Sequence, residues 1–411
     1  MGKYFSDAVE TALQYIFYDN RTRAIRGQEG LKLLIAASDA GDGDADCILA
    51  RCLSGTQYVW SGHRFPEDDE KVAFLTRRSV MRGSAIGVLM AKRNGTLKQM
   101  RETPLSLQDA FHIVREKAAA GDAYCQYTIG CTYFWWDFLS IQDRRREDFP
   151  SEETFRQFIR DNISQCEDWF WKAFRGGMYL AGNNLFNYYR KGDEGFIAPQ
   201  PEKMAAVYQT GAEMGYAVHQ YFHAQNLEEA GKLAEAVEWY RKAAENGQLG
   251  LWYKMGRFYE DGEAVPQDLV QSVYYYERSA AEGEVGGINS MGVACYSGRG
   301  VPQDRAKAFE YFRRAYEELD NDYGVDFLAR CYLEGWGTPP DYGKAYALAW
   351  KYKGEPLCQY ILGRIYCEGL GMPEDIAKGA GFLKRAADDV PEAAEELRQY
   401  KKTLFGKWVR R

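Results

Sequence analysis

Residues able to do chemistry are present, but few stand in a spacing that could use them. His219 and His223 lie four apart, which sets both rings on one face of a helix and suits a metal ion or acid–base work. No acidic third ligand is near in sequence and the HE-x-x-H context is missing, so ordinary helix-face positions explain the pair without chemistry. Nine cysteines are odd in number, irregular in spacing and form neither a CxxC nor a ligand quartet. They read as reduced, small, buried side chains, which points to the cytosol. The carboxylate pairs Asp68-Asp69 and Asp388-Asp389 fall at helix ends, where capping accounts for them. Gly298-Arg-Gly300 has no following Lys-Ser/Thr and is no phosphate cradle, and neither a G-x-S-x-G elbow nor a Cys–His pair with an orienting acid is present. The residues therefore assign no catalytic group, no cofactor and no metal, and the expectation is a protein that is not an enzyme.

Charge and hydropathy narrow the class further. A net charge of -7 argues against nucleic acid, because basic clusters such as Arg144-Arg145-Arg146 are short and stand beside acids. Asp7 and Glu10 interrupt what would be the apolar core of a signal peptide, and no window reaches the run of about 18 apolar residues that a spanning helix needs. The expectation is a cytoplasmic chain without membrane insertion. A length of 411 residues usually means two or three domains, unless the chain is a repeat array whose core grows along one axis.

The elements that must position any site are such repeats. Met255-Gly-Arg-Phe-Tyr259-Glu-Asp-Gly262 is answered by Met291-Gly-Val-Ala-Cys295-Tyr-Ser-Gly298, then by Leu328-Ala-Arg-Cys-Tyr332-Leu-Glu-Gly335 and Leu362-Gly-Arg-Ile-Tyr366-Cys-Glu-Gly369. In each, a large apolar residue and a small one precede a ring (Cys295 once) and a helix-ending glycine. The connectors Val265-Pro-Gln-Asp268, Val301-Pro-Gln-Asp304, Thr338-Pro-Pro-Asp341 and Met372-Pro-Glu-Asp375 follow. Proline there stops one helix and aspartate caps the next. The second helices, such as Ser272 to Ala281 and Lys307 to Ala315, repeat alanine and rings three and four apart, so each pair carries an apolar face that only a neighbour can bury.

This pattern resembles the Sel-one-like repeat (SLR) family, a relative of the tetratricopeptide repeat, over about Gly215 to Asp389. The resemblance implies an all-α, right-handed solenoid of about ten antiparallel helix pairs, acting as a scaffold or adaptor. It implies a concave groove, lined by the first helix of each pair, that holds a protein or peptide. The expected organisation is 1–121, divergent repeats; 122–214, repeats with an insertion at 137–150 and a second helix lengthened over Glu152 to Gly176; 215–389, regular repeats; and 390–411, a capping helix from Pro391 to Tyr400 with a tail. Residues 5 to 41 read as a divergent first pair.

Where the leucine and ring positions face the core, the residue two places after the leucine faces the groove. That position holds Arg51, Cys131, Asn187, His223, Arg257, Val293, Arg330 and Arg364, with Tyr253 and Tyr360 one turn earlier on the same face. Three arginines in the last four units form a positive stripe that would accept an acidic peptide, unless they are simply paired with Glu260, Asp326, Glu334 and Glu368. The candidate groove is therefore Arg51, Asn187, His219, His223, Tyr253, Arg257, Arg330, Tyr360 and Arg364. Thr132-Tyr-Phe-Trp-Trp-Asp-Phe138 is the densest aromatic run; it reads as core beneath Trp169 and Trp171, with a partner-binding projection as the competing view. The alternatives to a scaffold are a regulatory subunit or small-molecule or glycan-binding module using that insertion, and a secreted bacterial effector.

Overall fold

A computed structural model describes residues 4–18, 23–55, 63–193, 195–404 and 406–411, with the backbone alone at 23–25. Residues 19–22 of the expected first pair lie outside the described residues. The protein is all-α apart from a C-terminal hairpin, β1 Tyr400–Lys402 with β2 Trp408–Arg410. It divides into two compact units, 1–226 and 227–411, the division falling within the helix Ala217–Glu229.

The first unit stacks helix pairs whose first members are Asp7–Leu13, Gly43–Cys52, Ala85–Arg93, Ala123–Phe134 and Tyr179–Lys191, each answered by an antiparallel second helix. Counting the pair that Ala217–Glu229 begins, the described chain holds ten. The expected long second helix at 152–176 is instead two, Glu152–Ile163 and Gln165–Arg175. They meet at Ser164, whose hydroxyl donates back to the Asp161 carbonyl at 3.0 Å, beside Asn162, which bonds the Phe158 carbonyl. Short polar side chains that bond the local backbone in this way compete with the helix ladder, and the chain turns there. Gln165–Arg175 alone is the partner of Ala123–Phe134, with Phe170 fully buried against Gly130, where a Cβ would lie 2.6 Å from the ring.

In the second unit the repeat closes by one recurring device. Gly262, Gly298, Gly335 and Gly369 end the first helices in the left-handed region, φ 69–76°. This conformation costs glycine no Cβ clash. Downstream, the amides of Asp268, Asp304, Asp341 and Asp375 donate to the carbonyls of Tyr259, Cys295, Tyr332 and Tyr366 at 2.8–2.9 Å. The same aspartates accept from amides in the first turn of the second helix, as the sequence predicts. Gly256 fits under Tyr276, where a Cβ would stand 2.4 Å from the ring. Side chains such as Phe312, Leu328 and Ile361 are fully buried between repeats, each contributing about 1.5–3 kcal/mol. The terminal helix ends at Leu397 rather than Tyr400; Tyr400 instead opens the hairpin and is itself buried.

Candidate functional site

First helices contribute to a cleft in each unit. In the first unit, a cleft of about 510 Å³ is lined by Arg51, Met90, Arg93, Tyr127, Cys131, Trp135, Asn184 and Asn187 among others. Four successive first helices contribute to it. Arg51 donates to the Tyr127 hydroxyl at 2.6 Å and lies 4.8 Å over that ring. Arg93 pairs with Asp137 at 3.0 Å. The lining holds two arginines and no acid. Burial pushes the Asp137 carboxyl above its usual range, while Arg93 acts in the opposite sense.

A second space of about 1040 Å³ shares Trp135, Asn184 and Asn187 with the first and adds Phe134, Trp136, Phe196, Ile197 and Pro199, with Lys191 and Asp193 as its charged residues. Trp135 is 59% exposed, so the aromatic run is only partly core: Tyr133 and Phe138 are buried, and Trp135 faces solvent between two clefts. Trp136 adopts φ 63°, which a bulky residue rarely does. Its indole N–H donates to Asp193 at 3.0 Å and its ring meets Phe196 edge-on, centroids 4.8 Å apart. Burial raises the Asp193 carboxyl, against the opposing effect of the Trp136 bond. The insertion itself folds back: Phe149 packs on Phe155 and Phe158, and Arg146 pairs with Glu152.

In the second unit, a cleft of about 680 Å³ lies between the helices Leu251–Asp261 and Val285–Ser297, lined by Tyr253, Arg257, Glu260, Asn289, Val293 and Tyr323 with neighbours. Its charges are paired, Arg257 to Asp261 at 2.9 Å and Arg299 to Glu260 at 3.7 Å. The Asn289 amide donates to Asn321 at 2.9 Å, while its own buried oxygen has no partner among the described residues.

The candidate positions thus separate. Arg51 and Asn187 share a cleft in the first unit, and Tyr253 and Arg257 share one in the second. Arg330, Tyr360 and Arg364 belong to neither. Arg330 is bonded to Glu392 at 2.9 Å and lies over Trp336 and Tyr360; Arg364 is held by Glu334 at 2.6 Å and Glu368 at 2.7 Å. The expected positive stripe is therefore a row of ion pairs, with side chains only 15% and 20% exposed at Arg330 and Arg364. A ligand there would have to displace a carboxylate already in place. His219 is buried between Gly211 and the rings of Phe174, Tyr208 and Tyr216; His223 is half-buried on the same helix. No group of three or more metal-ligating side chains occurs among the described residues, nor is any of their helices long and apolar enough to cross a membrane. Trp135, Arg93, Asn184 and Asn289 are additions to the expected set. Asn289 stands four before Val293, the same one-turn step that leads from Arg257 to Tyr253, and that step would have reached it.

A family model described as Sel1 repeat matches residues 221–248, 253–284, 287–318, 326–349 and 356–389. No curated protein matches the chain. Among solved structures, a protective antigen of uropathogenic Escherichia coli displaying an SLR fold is 18% identical, over 90% of this chain and 89% of that one, with a TM-score of 0.37. A Sel1 repeat protein from Oxalobacter formigenes is 23% identical over 57% of this chain and 99% of that one, with a TM-score of 0.39. One from Klebsiella pneumoniae is 20% identical over 47% and 97%, with a TM-score of 0.27.

Proposed function

On the premise that this chain is a Sel1-repeat protein, we propose that it is a non-catalytic scaffold that binds protein or peptide segments along the inner faces of its first helices. Sel1 repeats generally mediate protein–protein interactions. The observation that carries the finer reading is the coincidence of clefts with one repeat position. Arg51, Cys131 and Asn187 in one unit, and Arg257 and Val293 in the other, occupy the same step of their first helices, and all five line clefts. The two clefts would take different segments. An acidic segment suits the first unit, where no carboxylate lines the cleft and Arg51 is bonded to a phenol, Arg93 being already paired with Asp137. In the second unit, Tyr253 and Tyr323 offer flat apolar surface beside charges that are already paired.

Selection of a random peptide library on the full chain tests this, followed by anisotropy titration of the winners. Trp135→Ala or Asn187→Ala should weaken acid-rich winners about tenfold, and Tyr253→Ala should weaken a separate set by a similar factor. Winners whose affinity ignores all three substitutions would reject the reading. The exposed Trp135 beside Trp136 and Phe196 favours one other reading, a small-molecule or glycan module stacking on those rings. In that case Trp135→Ala would abolish binding of a free sugar or aromatic solute while peptide winners remained unaffected.

A further inference from the structure

The last turn of the chain has a charge balance unlike the rest. Residues 398–411 read RQYKKTLFGKWVRR, with Arg398, Lys401, Lys402, Lys407, Arg410 and Arg411 and no acid. The chain carries -7 overall, so setting aside these six positive charges leaves -13 on residues 1–397. None of the six forms an ion pair with a described residue.

The hairpin ladder sorts them by face. Tyr400 pairs with Arg410, Lys401 with Val409 and Lys402 with Trp408, and the pairing runs on through the Thr403 amide to the Lys407 carbonyl at 2.8 Å. Strand alternation puts Tyr400, Lys402, Trp408 and Arg410 on one side. On that side Tyr400 is 2% exposed and joins the core of the second unit and Trp408 packs against it, while Lys402 and Arg410 reach solvent. Glu368, Glu374 and Glu396 act on Arg410, on this same side. The opposite side carries Lys401, Lys407 and Arg411 around Val409, and all three cations are exposed. At the turn between the strands, Leu404 is fully exposed.

We propose that this outer face is a docking surface for an anionic lipid bilayer. Three exposed cations on one side of the hairpin suit a negatively charged headgroup layer, and the exposed leucine at its turn suits the acyl boundary just beneath it. Nucleic acid would use the same cations but has no place for an aliphatic tip held in water, which is why the bilayer fits better. The contact is peripheral and crosses nothing.

Co-sedimentation of the full chain with vesicles tests it, using phosphatidylcholine alone and phosphatidylcholine mixed with phosphatidylserine. The protein should partition only onto the vesicles that contain phosphatidylserine, and less so as salt rises. Lys401→Glu with Lys407→Glu should lower partitioning more than about tenfold. Leu404→Asp should lower it several-fold, with the melting curve of each variant unchanged. Three results would overturn the proposal: no partitioning of the native chain onto phosphatidylserine, equal partitioning by the charge-reversed variant, or tighter binding to single-stranded RNA that Leu404→Asp leaves intact.

Discussion

Asp44 illustrates how a single carboxylate is set by its surroundings. It follows Asp42, whose side chain caps the helix Gly43–Cys52. Burial pushes the Asp44 carboxyl up to about 6; the Ser84 hydroxyl opposes this, and Asp42 and Asp122 add to it. A carboxyl raised in the folded state favours folding while protonated, and that contribution is lost as pH rises through the folded value. Stability relative to an Asp44→Asn variant should therefore fall between about pH 4 and 6 and stay level above it, by up to about 2–3 kcal/mol. Chemical denaturation of both proteins across that range measures the difference. A gap independent of pH would show that Asp44 is not the group concerned. Trp136 and Asp193 are a comparable case at the cleft, where a backbone outlier is held by one indole-to-carboxylate bond and a ring contact.

At the scale of elements, Arg330 ties the terminal helix to the repeat stack. Its guanidinium reaches Glu392, 62 residues away, from a site walled by Trp336 and Tyr360. Its own backbone amide first, and Arg330 after it, hold the Glu392 carboxyl below the usual range. Glu392 is about half exposed, so Arg330→Ala should cost about 1–2 kcal/mol. A double-mutant cycle with Glu392→Ala should then recover a coupling of about 0.5–1.5 kcal/mol; additive losses would mean that Arg330 acts through its ring contacts alone. This pairing also marks the boundary of what the residues reveal in advance. The caps at Gly262 to Gly369 and Asp268 to Asp375 were legible because glycine and aspartate answer to the backbone within a few residues. The position two after the leucine was legible for the same reason, since it follows from helix period, and it placed Arg51, Asn187 and Arg257 in clefts. The paired alternative was legible too, since Glu334 and Glu368 hold Arg364, but the partner of Arg330 is Glu392, 62 residues away, and no local period encodes that. The break at Ser164 is hidden by a pattern that reads as helix throughout, and the hairpin forms where the residues after Tyr400 read only as a tail.

For the whole molecule, the cysteines offer a probe of each unit. All nine are free and buried. Burial drives Cys52, Cys331 and Cys358 up to about 12 and Cys367 to about 11, and only the thiolate reacts. A thiol reagent should therefore label the native chain only as fast as it opens, and stoichiometric labelling within the mixing time would contradict the buried placement. The first unit contains Cys47, Cys52, Cys125, Cys131 and Cys166; the second contains Cys295, Cys331, Cys358 and Cys367. Mass spectrometry of partly labelled protein in rising denaturant should show these two sets appearing as groups.

The connector aspartate has one more consequence, for how such a chain can change over generations. Its amide returns to the ring residue of its own repeat and its carboxylate starts the helix of that same repeat. The bonds that define the connector are thus closed within one unit, while the junction with the next adds packing and side-chain ion pairs such as Arg364 with Glu334. Duplicating or deleting a whole repeat therefore leaves every such bond intact, whereas inserting a single residue between Tyr259 and Asp268 would break one. Copy number is the variable this architecture leaves open to inheritance, and loop length is the one it fixes.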